Sequence, residues 1–146
     1  MNVAIDTNVV VCGLLKPFSP AGQIMRWVAE GAICVCYDAR ILLEYEQVLR
    51  HEKFGFDAHA VAVLIDVIRE TGLCVAGAGL NIRLPDPTDE MFIEVASAAE
   101  CRLLITGNSK HLPPKACQGI AAVYNPRNFV ELFKRRQSSI KKGLPH

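Results

Sequence analysis

Apolar residues run along this chain in short unbroken blocks, separated by stretches with helical spacing. Residues 2–6 (NVAID) read as a buried strand ending on Asp6. Residues 8–15 suit a buried helix that stops before Pro17. A second helix is expected from Ser19 to Glu30, with Ser-Pro at its start, Gly31 at its end and Ile24, Trp27 and Val28 at helical spacing. Residues 32–37 (AICVCY) form a second strand. Asp38 then serves as N-cap for a helix to about His51, with Ile41, Leu42, Tyr45, Val48 and Leu49 on one face. A further helix runs from about Asp57 to Thr71 and is closed by Gly72, and residues 73–76 make a third strand. Gly77 to Leu84 is punctuated by glycine and yields no element. Asp86-Pro87 opens a helix to about Glu100 with Met91, Phe92, Val95, Ala98 and Ala99 inward. Strands follow at 102–106 and 120–124, the first ending in a Gly-Asn turn. Pro126 starts a last amphipathic helix through Phe129, Leu132 and Phe133, and the tail from Lys134 to His146 is expected to fray.

Strands and helices alternate, and the strands are continuously apolar rather than two-faced. That pattern defines an α/β fold of three layers, α/β/α, with a central parallel sheet of four or five strands. It is expected as one domain over residues 1–133, followed by a basic tail over 134–146. In such sheets ligands gather beyond the carboxyl ends of the strands. The residues there are Asp6-Thr7-Asn8, Asp38 and Thr106-Gly107-Asn108.

Composition narrows the class. The chain has 146 residues, 51% hydrophobic and 21% charged, which suits one ordinary globular domain. Sixteen Lys+Arg against fifteen Asp+Glu leave a net charge of +1, so whole-chain charge does not mark a nucleic-acid binder. No uncharged apolar run is long enough to span a membrane. The N-terminus lacks a basic segment and Asp6 interrupts its first apolar run, so no secretory signal is expected and the location is cytoplasmic. Cysteines 12, 34, 36, 74, 101 and 117 contain no C-x-x-C, and most lie in apolar segments, as reduced core thiols do. Histidines 51, 59, 111 and 146 show no zinc spacing. Gly77-Ala78-Gly79 lacks the third glycine of a dinucleotide fingerprint. Neither a P-loop nor a G-x-S-x-G is present.

What is left is carboxylates. Asp6 ends an apolar strand, where an acid is desolvated and needs a cation or a donor, although it could equally cap the next helix. Glu44 and Glu46 sit on opposite borders of the apolar face of their helix, and periodicity does not choose between them. Asp86 before Pro87 has the geometry of a cap, and Asp89, three residues on, suits the helix N-terminus while facing the strand ends. Asn108 reads first as a turn residue. The set contains only oxygen donors, which select Mg²⁺ or Mn²⁺ over zinc or copper. Ions held in this way serve displacement at phosphates.

Four segments together carry a family likeness: VAIDTNVVVCGLL, RILLEYEQVLRHEKF, LPDPTDEMFIEVASAAECRLLITGNSKHL and YNPRNFVELF. In this order they cover nearly the whole chain, which resembles the PIN-domain family of metal-dependent ribonucleases, in particular its small prokaryotic toxin components. By that resemblance the first acid falls on Asp6, the second on Glu44 and the third on Asp89, with Ala96 matching the small residue that follows. The fourth acid of the family is replaced by Asn108, which removes one charge. Thr7 and Thr106 match polar positions that orient the acids, and Asn8 and Asp86 are further supporting positions.

The resemblance implies a ribonuclease using Mg²⁺ or Mn²⁺. Asp6, Asp89 and Glu44 would hold the metal, and Asp6, Glu44, Asp89 and Asn108 would form the catalytic set. It also implies an antitoxin protein partner and a homodimer. Basic residues of the tail would add attraction to the RNA backbone. The rival reading is a PIN-like module that binds RNA or protein without cutting, for which Asn108 is the support. A phosphatase of the haloacid dehalogenase kind would need an acid at position 8, where this chain has asparagine.

Overall fold

The computed structural model describes residues 1–76, 90–99, 102–107 and 119–143. Asp86, Asp89, Asn108, the glycine-rich stretch, Cys101, Cys117, His111 and His146 lie outside the described residues.

The chain begins in the middle of its own sheet. Strand β1 (Asn2–Ile5) has Val3, Ala4 and Ile5 fully buried, as a strand flanked on both edges and both faces requires. It pairs with β2 (Cys34–Tyr37) on one side and with β4 (Leu103–Ile105) on the other. Strand β3 (Leu73–Cys74) lies beyond β2, and β5 (Ala122–Tyr124) beyond β4. The order is β3-β2-β1-β4-β5, and every pairing is parallel. The chain steps outward from β1 to β3, then returns past β1 to β4. Its topological switch point therefore falls between β1 and β4, at registers Ala4↔Leu104 and Ile5↔Ile105.

Six helices among the described residues flank this sheet in a three-layer α/β/α arrangement: α1 (Thr7–Leu15), α2 (Pro20–Ala29), α3 (Ala39–Leu49), α4 (Ala58–Thr71), α5 (Glu90–Ala98) and α6 (Pro126–Gly143). Their starts follow local chemistry. Ser19, Asp38 and Asp57 each cap a helix, accepting from the backbone N–H of Gly22, Ile41 and Ala60. A 3-10 turn, Glu52–Phe54, joins α3 to α4, where the hydrophobic pattern shows no element. Helices α1 and α2 cross at Gly13, where a Cβ would stand 2.5 Å from Met25 Cγ and 2.8 Å from the Ala21 carbonyl oxygen. Only glycine allows that approach.

Two expectations are corrected. Helix α5 buries Phe92, Ile93, Val95, Ala96 and Ala99, while Ala98 is exposed, because the inward stripe takes in Ile93 and Ala96 instead. The tail does not fray at Lys134. Helix α6 continues to Gly143, through residues that are mostly good helix formers with no proline among them. Its first half is anchored by Phe129 and Phe133, the latter 4.4 Å from the Trp27 ring of α2, centroid to centroid. Its second half, from Lys134 to Ile140, is exposed throughout. No helix among the described residues is long and apolar enough to cross a membrane.

Candidate active site

Asp6 occupies the N-cap position of α1, with extended backbone (φ −61°, ψ 142°), yet its side chain makes no capping bond. Its Oδ2 instead accepts from the Thr106 hydroxyl at 2.8 Å, across the switch point from the end of β4. The Asp6 backbone N–H donates to the Ile105 carbonyl at 2.9 Å, which extends the β1–β4 pairing to the last residue before the helix. Asp6 is 3% exposed and Thr106 4%. Burying a carboxylate at this depth is expensive, and here a buried hydroxyl orients one of its oxygens.

The next residue reaches the second acid. Thr7 opens α1, is itself buried, and donates its hydroxyl to Glu44 Oε2 on α3. Glu44 thus leans in over the start of α1. Glu46, on the other border of α3, turns out and pairs with Arg50 at 3.3 Å, one helical turn on. The two glutamates thus differ in setting: Glu44 leans toward the start of α1, and Glu46 pairs with Arg50 on the outer border of α3. Asn8 is exposed in the first turn of α1.

Tyr45 ties the two acids to the frame. Its ring is fully buried, and its hydroxyl donates to the Ile5 carbonyl, the peptide group that joins β1 to Asp6. Burial pushes the phenol well above its ordinary value, and the negative charges of Asp6 and Glu44 push it further. Both carboxylates therefore lie within electrostatic reach of one buried hydroxyl. Nothing in the hydrophobic pattern separates Tyr45 from an ordinary core aromatic, so its polar role was missed. The available signal is that a fully buried tyrosine needs a partner for its O–H.

Asp38 caps α3 through Oδ1, while its Oδ2 accepts from Arg40 Nε at 2.9 Å and Nη2 at 2.6 Å. Arg40 Nη2 also donates to Glu94 Oε2 of α5 at 3.1 Å. Its guanidinium is raised above its ordinary value, chiefly by the hydrogen bond to Asp38, against the opposing pull of partial burial. Glu44 borders an open groove of about 380 Å³ between α3 and α5, where Glu90 and Glu94 also stand. The apolar periodicity that marks α5 carries no signal for these two acids or for Arg40.

The described residues contain no group of three His, Cys, Asp or Glu arranged for a metal ion. Of the expected ligands, Asp6 and Glu44 are described and Asp89 lies outside. The two present supply only oxygen donors, each accepting from a threonine hydroxyl, at the carboxyl end of the sheet. That donor chemistry fits a hard divalent cation.

A doubly wound parallel sheet with Asp6 at its switch point and Glu44 beside it is an α/β fold of the class that takes ligands at the carboxyl ends of its strands. The chain matches the PIN domain over residues 2–110, three quarters of its length, and it belongs to that family. PIN domains are nuclease-type proteins, typically hydrolases that generally use divalent metal ions. Comparison with the curated proteins and with the solved structures finds no match.

Proposed function

We propose that this PIN domain is a metal-dependent endoribonuclease, the toxin component of a toxin–antitoxin module, which hydrolyses phosphodiester bonds in single-stranded RNA. The observation that carries the reading is Asp6. It occupies a capping position without capping, and gives its carboxylate to the switch point, beside a glutamate held by the adjacent threonine.

In this reading Asp6, Asp89 and Glu44 would hold Mg²⁺ or Mn²⁺, which when bound supplies charge stabilisation for displacement at phosphorus. Thr106 and Thr7 orient the carboxylates of Asp6 and Glu44. Asn108 matches the family's fourth acidic position and, as a neutral amide, would position a water or the scissile phosphate as donor rather than add charge. Asn8 and Asp86 would be supporting positions. The exposed basic half of α6 attracts the RNA backbone. An antitoxin protein occupies the acidic groove, and the chain acts as a homodimer in the cytoplasm.

The test is cleavage of single-stranded RNA by purified protein with Mn²⁺, freed of any co-purifying protein. Asp6→Asn and Glu44→Gln should each lower the rate by orders of magnitude with the fold intact, and Glu46→Gln should not. If the parent cuts no RNA, the chain is a binding module and the nuclease reading is lost.

A further inference from the structure

The groove between α3 and α5 poses an electrostatic problem for a nuclease. Glu44, Glu90 and Glu94 border it, and RNA is a polyanion. Arg40 is the one cation lining it among the described residues. Arg40 engages Asp38 and Glu94 through Nε and Nη2, and Nη1 has no partner among the described residues. The side chain is 49% exposed, while its two acidic partners are mostly covered. A guanidinium held on one edge and open on the other is shaped to donate to a phosphate oxygen from the open edge.

Helical spacing gives the groove a direction. Arg40, Glu44 and Gln47 share one face of α3, and Arg40 stands about 6 Å along the axis from Glu44. Leu43, half exposed, and Met91 of α5 add apolar surface between them. One wall thus offers, in order, a cation, an apolar patch beside the carboxylate, and an amide. A phosphate on Arg40 lies one step away from the carboxylates, so the contact concerns a neighbouring phosphate rather than the scissile one.

We propose that this groove is the track for the RNA strand next to the cut, with Arg40 Nη1 holding the adjacent phosphate and Leu43 and Met91 meeting its base. The proposal rests on the nuclease reading of the same site. A phosphate here joins an arginine already fixed by two carboxylates, so little side-chain freedom is lost on binding.

The experiment uses the full chain, Mn²⁺ and a single-stranded RNA oligonucleotide. Arg40→Gln should raise KM roughly tenfold, the scale of one lost charge-assisted contact, while kcat falls far less. The salt dependence of kcat/KM should become shallower by about 0.7 in log–log slope, the share of one phosphate on a single strand. Arg40→Lys should recover part of KM, and Mn²⁺ titration of the RNA-free protein should be unchanged in both variants. A fall in kcat with KM and salt slope unmoved would make Arg40 only a brace between α3 and α5, and would overturn the proposal. So would variants that behave as the parent, which leaves the groove to a protein partner. A parent that cuts no RNA overturns the nuclease reading as well. A parent that cuts while Arg40→Gln changes nothing overturns the groove alone.

Discussion

Tyr45 shows how one residue joins stability to the site. Its hydroxyl satisfies the Ile5 carbonyl inside the core, directly before Asp6. Removing it by Tyr45→Phe leaves that carbonyl without its donor, and should lower stability by about 1–3 kcal/mol at neutral pH. The same substitution should change the alkaline limb. The folded protein holds the phenol protonated above the value of 10.0 at which the unfolded chain releases its proton. The unfolded state therefore binds fewer protons above that pH, and folding stability falls as pH rises, at about 1.4 kcal/mol per unit. Tyr45→Phe removes that loss. Urea denaturation from pH 7 to pH 11 should show the variant less stable at neutral pH but with a flatter alkaline decline than the parent. Parallel curves would mean that Tyr45 does not carry the titration.

Helix α6 separates packing from propensity. Phe133 and Ile140 lie seven residues apart on nearly the same stripe, but only Phe133 meets the body of the fold, against Trp27. Phe133→Ala should cost about 3–5 kcal/mol. Ile140→Ala, at a position 64% exposed, should stay within about 0.5 kcal/mol. Thermal melts of the two variants decide whether the second half of α6 is held by its own backbone or by contacts with the fold. This contrast also explains what was legible at this scale. The starts of α2, α3 and α4 could be read directly, because Ser19, Asp38 and Asp57 are local signals acting on N–H groups three residues away. The far end of α6 could not, because no local residue stops it and its polar composition reads equally as tail or helix. The site divides in the same way. Asp6 stands out as an acid closing an apolar run, whereas periodicity does not tell Glu44 from Glu46: the family resemblance points to Glu44, and in the fold Glu44 meets Thr7, 37 residues earlier in the chain. Arg40 pairs with Glu94, 54 residues on, and no periodicity reports such a contact.

Across the molecule, a net charge of +1 conceals a segregation. Residues 1–125 hold ten basic residues and fourteen acids, while Pro126–Gly143 holds six basic residues and one acid, Glu131. An acidic body ends in a strongly basic helix. Lys134, Arg135 and Arg136 are exposed there, and no ion pair involves them among the described residues. Screening acts most on charges of this kind. The triple substitution of Lys134, Arg135 and Arg136 to Gln should weaken binding of a long single-stranded RNA in metal-free buffer and flatten its salt dependence by up to about 2 in log–log slope. It should leave the melting temperature nearly unchanged, since these side chains support no packing. An unaltered slope would show that RNA does not reach this end of the molecule.

The central place of β1 bears on how the protein is made. Strand β1 is synthesised long before one of its two neighbours, β4. Asp6 waits for Thr106, a partner 100 residues later. At about 5–20 residues per second, that interval is about 5–20 s of synthesis. During it the growing chain can form its early helices, and β1 can lie beside β2, but the open flank of β1 has no neighbour. The hydroxyl that orients Asp6 arrives with the strand that fills that flank. Asp6 and Glu44 are therefore made well before the strand whose edge completes the setting of Asp6.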